Sequence, residues 1–150
     1  MVDRDKIEGL IRHLHQYTGH LRKIAGLGRH KFLSDPLAIG GARYYLLVSI
    51  ESCIDIANHI IATERLPSPK DYKDTFKVLN EAGIIPDDFV QTLQAMAGFR
   101  NLLVHLYWEV DDELIYDSLD TELDDFEAFI AHIMKFLQDT AVKSETDQEC

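Results

Sequence analysis

The sequence has 150 residues, of which 26 are Asp or Glu and 15 are Lys or Arg, so its formal net charge is −11. This length suits one domain, and 46% apolar with 27% charged residues excludes a disordered or fibrous chain. No apolar run approaches the roughly 20 residues that cross a bilayer, and the first residues lack the apolar core of a signal peptide. Cys53 and Cys150 make no disulfide framework. We therefore predict a cytoplasmic protein with no membrane partner.

The charge is unevenly distributed along the chain. Residues 1–31 contain seven Lys or Arg and three Asp or Glu, whereas residues 109–127 contain ten acidic residues and no basic one. A protein that binds nucleic acid over a broad surface normally has an excess of basic residues. Any nucleic-acid contact must therefore be local, or built from the N-terminal part and a few arginines.

Apolar residues recur at three- and four-residue spacing through most of the chain, which predicts helices. A first helix carries one apolar stripe between Ile7 and Ile24, and glycines follow it. Asp35-Pro36 is typical of a helix start, because an N-cap precedes a proline whose missing N–H costs nothing there. The stretch from Tyr44 to Ile61 is apolar on most sides, which predicts a central, buried second helix.

The C-terminal half continues the helical pattern. A short helix is predicted from Asp71 to Ala82, closed by Gly83, and a longer one from Asp87 to about Leu106. Asp111 is a candidate N-cap for a last long helix. The fold class predicted is all-α, a four-helix up-and-down bundle with an additional short helix. We expect one domain over residues 1–143 and a flexible polar tail over residues 144–150.

Several enzyme classes lack their motifs here. The sequence has no glycine-rich phosphate loop, no CxxC, no HExxH and no Glu-x-x-His of the di-iron bundles. His13, His15 and His20 lie near one another on the first helix, but no carboxylate or cysteine stands at a suitable spacing. We interpret them as a solvated, weakly basic face and predict no metal site.

Polar residues form a row along the otherwise apolar second helix. Glu51, Asp55 and His59 are spaced i, i+4, i+8, and Asn58 lies beside them. Buried charges are costly unless paired, so this row needs an explanation. One interpretation is a self-satisfied structural network. The other is a supporting set that orients catalytic groups on a neighbouring helix.

The most informative segment is GFRNLLVHLYW, residues 98–108. On a helix, Asn101 and His105 share a face, and Arg100 lies about 100° round from Asn101. A lone His on an apolar helix is usually a core residue with its hydrogen bonds satisfied. That explanation does not account for four such groups within eight residues: a permanently charged Arg, an amide, a titratable His and a Tyr (Tyr107).

The arrangement Arg100-x4-His105-x-Tyr107 resembles the signature of the HEPN superfamily, specifically the HepT-like ribonuclease toxins. The run ESCIDIANHIIA resembles the second helix of that family, and Pro69-Lys70-Asp71-Tyr72 with GIIPDDF resembles its middle section. The resemblance covers roughly residues 5–137. It includes the order of the helices as well as the motif.

The resemblance implies a metal-independent endoribonuclease that needs no cofactor and acts as a homodimer. It also implies a cognate nucleotidyltransferase antitoxin, encoded alongside, as the partner that neutralises it. Arg100 and His105 match the catalytic pair, and Tyr107 matches the tyrosine that the partner modifies with AMP. Asn101 and the row Glu51, Asp55, Asn58 and His59 are expected to support them.

The chemistry of these residue types fits RNA cleavage by the ribose 2′-OH, which DNA lacks. A histidine transfers protons near neutral pH, and an arginine stabilises charge on the phosphate. One His in each chain leaves a second proton-transfer role unfilled, which a two-fold dimer would supply. The main alternative is a non-catalytic helical module that binds a nucleotide or a protein, and a third is a purely structural bundle.

Overall fold

The computed structural model describes residues 2–149, without the side chains of residues 144 and 146–149. The described chain forms six α-helices and a short 3-10 helix at Tyr107–Glu109. The helices are α1 (Arg4–Ala25), α2 (Arg29–Leu33), α3 (Pro36–Thr63), α4 (Tyr72–Glu81), α5 (Asp87–His105) and α6 (Asp112–Glu149). The long helices α1, α3, α5 and α6 form the bundle and α4 is the additional short one, so the prediction of an all-α fold is confirmed.

Side-chain caps fix where the predicted helices start. The carboxylate of Asp35 accepts hydrogen bonds from the backbone N–H groups of Leu37 and Ala38, at 3.0 and 3.3 Å, with Pro36 in the first turn of α3. Asp111 accepts from the N–H of Leu114 at 2.7 Å and so begins α6. These caps satisfy donors that have no partner inside the helix, and each typically stabilises it by about 1 kcal/mol.

Helix α3 is the centre of the molecule. It packs against every other α-helix, and its residues Leu46, Ile50, Ile54, Ile56 and Ile60 are fully or almost fully buried. It is also the one helix in the described chain that is long and apolar enough to cross a membrane. Within the most apolar 18-residue window of this helix, 56% is buried inside the bundle, as a core helix would be.

Three features lie outside the sequence-based prediction. The short α2 was not predicted; it carries Phe32, whose side chain is fully buried in the core. The 3-10 helix after α5 was not predicted either. Helix α6 continues to Glu149, past the expected start of the tail at residue 144. The flexibility expected of residues 144–150 stays a prediction, and Cys150 lies outside the described residues.

Candidate functional site

Arg100 of α5 is held against α3 by an ion pair. Its Nε donates to the carboxylate of Glu51, and the two side chains are 16% and 31% exposed, respectively. The residues are 49 positions apart, so the contact exists only because α5 packs on α3. Partial burial protects this pair from the screening that weakens surface ion pairs.

Two further side chains fix the Arg100 guanidinium. It lies over the ring of Tyr72, the first residue of α4, with 4.8 Å between its Cζ and the ring centroid, which is a cation–π contact. Its Nη1 donates to the amide oxygen of Asn101 at 3.2 Å. The amide oxygen of Asn101 therefore contacts Arg100, and the expectation that Asn101 supports Arg100 and His105 stays a prediction.

His105 shares an open cavity with this arginine. The cavity has a volume of about 450 Å3 and is lined by Asp71, Tyr72, Arg100, Asn101 and His105. His105 ends α5 and is exposed, and among the described side chains none forms a hydrogen bond with its imidazole. The cavity therefore combines a fixed cation, which can stabilise charge on a phosphate, with an imidazole that can transfer a proton.

The polar row of α3 is divided between two places. Glu51 contacts Arg100, but Asp55, Asn58 and His59 line a different cavity of about 370 Å3, together with Lys6 and Leu10 of α1. Asp55 is exposed; its pKa is raised by partial burial first and by the charge of Glu51 second, while Lys6 opposes the shift. The structure thus joins one member of the row directly to the cavity of Arg100.

The other two residues of the polar row at the second cavity, Asn58 and His59, are half-buried. The amide oxygen of Asn58 accepts from the Thr75 hydroxyl of α4 at 3.4 Å. The Nε2 atom of His59 is buried and has no hydrogen-bond partner among the described residues. Both interpretations of the row therefore have a physical counterpart: Glu51 is placed to support the site, and Asn58 ties two helices together.

Tyr107 lies just beyond the cavity, where the chain leaves helical geometry. Leu106 has φ −135° and ψ 39°, which ends α5 and starts the 3-10 helix. The Tyr107 side chain is 60% exposed, and its ring meets that of Trp108 edge to face at 5.2 Å. The phenol is therefore open to an external reagent.

Arg43 of α3 fixes the segment that carries Tyr107. Its Nη1 donates to the backbone oxygen of Tyr107 at 3.1 Å, and its Nη2 donates to the backbone oxygen of Val110 and to Asp112 at 3.0 Å. Sequence reasoning missed Arg43, because an isolated arginine on a helix gives no signal of contacts 64 to 69 residues away. It also gave Tyr72 no site role, although it noted the segment that contains it.

Exposed apolar side chains are close in sequence to the residues that line the cavity of Arg100 and His105. Leu102 and Leu106 are 37% and 36% exposed, and Trp108 is 67% exposed. Large exposed apolar side chains such as these are typical of protein–protein interfaces. In the part of the chain that the structure describes, no three His, Cys, Asp or Glu residues are grouped closely enough to hold a metal ion.

Comparison with known proteins gives one family. The model of the family described as Ribonuclease HepT-like matches residues 11–133. The mRNA nuclease HepT of Shewanella oneidensis is 38% identical over 80 residues, which are 53% of this chain and 60% of that protein. The tRNA nuclease HepT of Aphanizomenon flos-aquae is 24% identical over 133 residues, 87% of this chain and 89% of that protein.

The fold has a solved counterpart. A tri-AMPylated HEPN toxin of Shewanella oneidensis, in complex with an MNT antitoxin, superposes with a TM-score of 0.80 at 30% identity. The match covers 90% of this chain and 99% of that one.

Proposed function

This chain belongs to the Ribonuclease HepT-like family, and from that premise we propose that it is a metal-independent endoribonuclease toxin. The family assignment made from the sequence is confirmed, and the class of enzyme that the family represents is a ribonuclease. The observation that carries the proposal for this chain is the cavity in which Arg100 is fixed by Glu51 and Tyr72 beside a free His105.

In the proposed reaction the ribose 2′-oxygen attacks the adjacent phosphorus. An unprotonated His105 accepts the 2′-OH proton, the bond from phosphorus to the 5′-oxygen breaks, and a protonated imidazole donates to the leaving oxygen. The products are a 2′,3′-cyclic phosphate and a 5′-hydroxyl. Arg100 stabilises the negative charge that grows on the phosphoryl oxygens, and its fixed position avoids reorganisation during the step.

The second imidazole of this scheme comes from a second copy of the chain. Each chain offers one His in the cavity, and Leu102, Leu106 and Trp108, close to it in sequence, are exposed. Burying these side chains against their symmetry copies stabilises a dimer by about 25 cal/mol per Å2 of apolar surface. The homodimer therefore places two His105 side chains on opposite sides of one RNA strand.

We also propose that a cognate nucleotidyltransferase antitoxin neutralises the chain by adenylylating Tyr107. The phenol oxygen attacks the α-phosphorus of ATP, pyrophosphate leaves, and the phenolic proton passes to solvent or to a base of the partner. The product carries a bulky phosphodiester anion beside the cavity, which competes with an RNA phosphate for Arg100. The AMPylated structural relative supports this step, and the exposure of Tyr107 is compatible with it.

The first test is cleavage of RNA in the presence of EDTA. The parent chain is expected to release fragments with 2′,3′-cyclic phosphate ends, and both His105→Ala and Arg100→Ala to lose at least about a hundredfold in rate, as general acid–base groups usually do. His30→Ala removes an exposed histidine on α2 and is the matched control. Cleavage that requires added metal, or that survives His105→Ala, contradicts the mechanism.

The second test separates the members of the polar row. Glu51→Gln keeps the shape of the side chain but removes the charge that holds Arg100, so its rate is expected to fall about tenfold. Asp55→Asn removes a charge one turn away that does not contact Arg100, and a change of less than about twofold is expected. Equal losses in the two variants would show that the whole row acts together.

The third test concerns the modification. The chain is incubated with the neighbouring nucleotidyltransferase and ATP, and the modified peptide is mapped by mass spectrometry. An added adenylyl group on Tyr107 is expected, and Tyr107→Phe should escape neutralisation. A Tyr107→Phe variant that is neutralised as well as the parent would mean that the partner acts by masking the cavity.

A further inference from the structure

Outside the proposed site, four rings form a continuous row where α1 packs against α3. The ring centroids of His13 and Tyr17 are 6.3 Å apart, those of Tyr17 and Tyr45 are 6.3 Å apart, and those of Tyr45 and His20 are 4.7 Å apart. Successive planes are inclined by only 23°, 32° and 26°. We call His13, Tyr17, Tyr45 and His20 the aromatic row.

The aromatic row is open to solvent at its two ends. His13 and His20 are exposed, while Tyr17 and Tyr45 are half-buried between the helices. Tyr44, 56% exposed, meets Tyr45 edge to face at 5.3 Å and extends the row outward on α3. The buried residues of α1 lie on its other face, whereas Tyr45 of α3 packs partly against the core.

The charge around the row is opposite to that of the rest of the chain. Residues 9–34 contain five Lys or Arg and no Asp or Glu, in a protein of net charge −11. Arg22 and Arg29 are used in ion pairs with Glu127 and Asp117 of α6. Arg12 and Lys23, both exposed, form no ion pair with any described side chain.

The free cations lie beside the rings. By helical spacing, Arg12, Gln16 and Lys23 occupy the outward face of α1, on average about 70° round from His13 and His20. Arg22 lies on the opposite flank, which faces α6. The acidic residues of α6 are therefore kept away from the row, and the side of α1 next to α3 combines flat rings with unpaired positive charge.

We propose that the aromatic row binds single-stranded RNA, as a subsite outside the cavity of Arg100 and His105. Bases stack on aromatic and imidazole rings whatever their sequence, and cations beside the rings pair with the phosphates. His13 and His20 are about 10 Å apart along α1, a length that fits about three stacked bases at 3.4 Å each. A polyanion is the occupant that the acid-free segment fits by charge.

The subsite is continuous with the proposed catalytic cavity through α3. Tyr44 and Glu51 are seven residues apart on the outward face of that helix, about 10 Å, and Glu51 holds Arg100. A strand that stacks on the row therefore reaches the cavity within a few nucleotides. The inference rests on the proposed function to this extent: the bound strand is the substrate of the same site.

The experiment measures affinity without cleavage. The intact chain is titrated into a fluorescent 12-nucleotide single-stranded RNA that is 2′-O-methylated throughout, which removes the nucleophile, and anisotropy is recorded. The paired substitution His13→Ala with His20→Ala is expected to weaken binding at least about tenfold, because it removes the rings on which two bases stack. Lys23→Gln is expected to weaken binding and to reduce its salt dependence.

Matched controls separate the row from general charge and folding effects. His30→Ala removes an exposed histidine outside the row, and Lys77→Gln removes an exposed lysine of α4; both are expected to bind as the parent does. His13→Phe with His20→Phe keeps the rings and is expected to retain more affinity than the alanine pair. Circular dichroism of each variant verifies that the bundle is folded.

The outcomes distinguish this proposal from the proposed function. If the variant with His13→Ala and His20→Ala binds RNA as tightly as the parent, the proposed subsite is overturned even if the chain cleaves RNA. Tight binding that depends on the row, in a chain that cleaves nothing, overturns the proposed ribonuclease activity and leaves the subsite standing. Variants that change the sedimentation coefficient rather than RNA affinity would assign the row to contacts between copies of the chain, which also overturns it.

Discussion

The carboxyl group of Glu122 makes the stability of the bundle depend on pH near neutrality. This residue lies on α6, and its Oε2 is buried without a hydrogen-bond partner among the described residues. Burial, with a smaller effect from the charge of Asp125, raises the pKa of Glu122 from 4.5 to about 7. Burial of the thiol first, and the charge of the Glu122 carboxyl second, raise the pKa of Cys53 on α3.

The sign and size of the effect follow from the pKa of Glu122. The folded chain holds this proton more tightly than the unfolded chain, so the stabilisation is complete below pH 4.5 and is lost as the pH rises to about 7. The difference of about 2.5 units in pKa corresponds to about 3 kcal/mol of unfolding free energy. That is a large share of the stability of a domain of this size.

The substitution Glu122→Gln isolates the contribution of this carboxyl group to the unfolding free energy. Glutamine has the shape of the protonated carboxyl and does not ionise, so the variant should resemble the parent at pH 5 and exceed its unfolding free energy by up to about 3 kcal/mol at pH 8. Urea unfolding at fixed protein concentration, at pH 5, 6, 7 and 8, measures the unfolding free energies of the parent and the variant.

Asp120→Asn is the matched control for Glu122→Gln, because it removes one negative charge from an exposed position of the same helix. A gain at pH 8 that the control reproduces would come from lowering the net charge of −11. A gain for Glu122→Gln that is the same at pH 5 and pH 8 would refute the argument from burial.

Three further predictions concern the site. Tyr72→Phe keeps the ring under Arg100 and should cleave RNA about as fast as the parent, whereas Tyr72→Ala should lose about fivefold, as expected for a partly buried cation–π contact; equal rates would deny the ring this role. Arg43→Ala should raise amide hydrogen exchange over residues 107–112 and slow adenylylation of Tyr107, with circular dichroism unchanged; unchanged exchange would show that the segment is held by other contacts. Trp108→Glu should shift the chain towards monomer in sedimentation velocity and lower cleavage in proportion to the lost dimer; a fully dimeric variant would place the interface elsewhere.

Local signals in the sequence predicted most of the fold. The starts of α3 and α6 follow from Asp35-Pro36 and Asp111, because a capping carboxylate acts on amides two or three residues away. Helix α2 was missed since its five residues are too few to show a helical period. The continuation of α6 to Glu149 was missed because polar residues carry no apolar stripe.

Of the candidate site, the sequence predicted mainly the residues that lie on the single helix α5. Arg100, Asn101 and His105 were found together because their spacing sets their faces on α5. Tyr72 and Arg43 contact this region from other helices, and no spacing along the chain encodes such contacts. The division of the polar row, with Glu51 at one cavity and Asp55 at another, depends on how α1, α3 and α5 are packed.

The end of α5 has a consequence for how this protein can diverge. Arg100 and His105 are fixed by the register of one helix, while the segment after Leu106 is positioned by Arg43 from another. Insertions, deletions or substitutions between residues 106 and 111 can therefore move Tyr107, the proposed site of adenylylation, without shifting the proposed nuclease pair. The surface offered to the proposed partner can thus change between related chains while the proposed cleavage chemistry is kept.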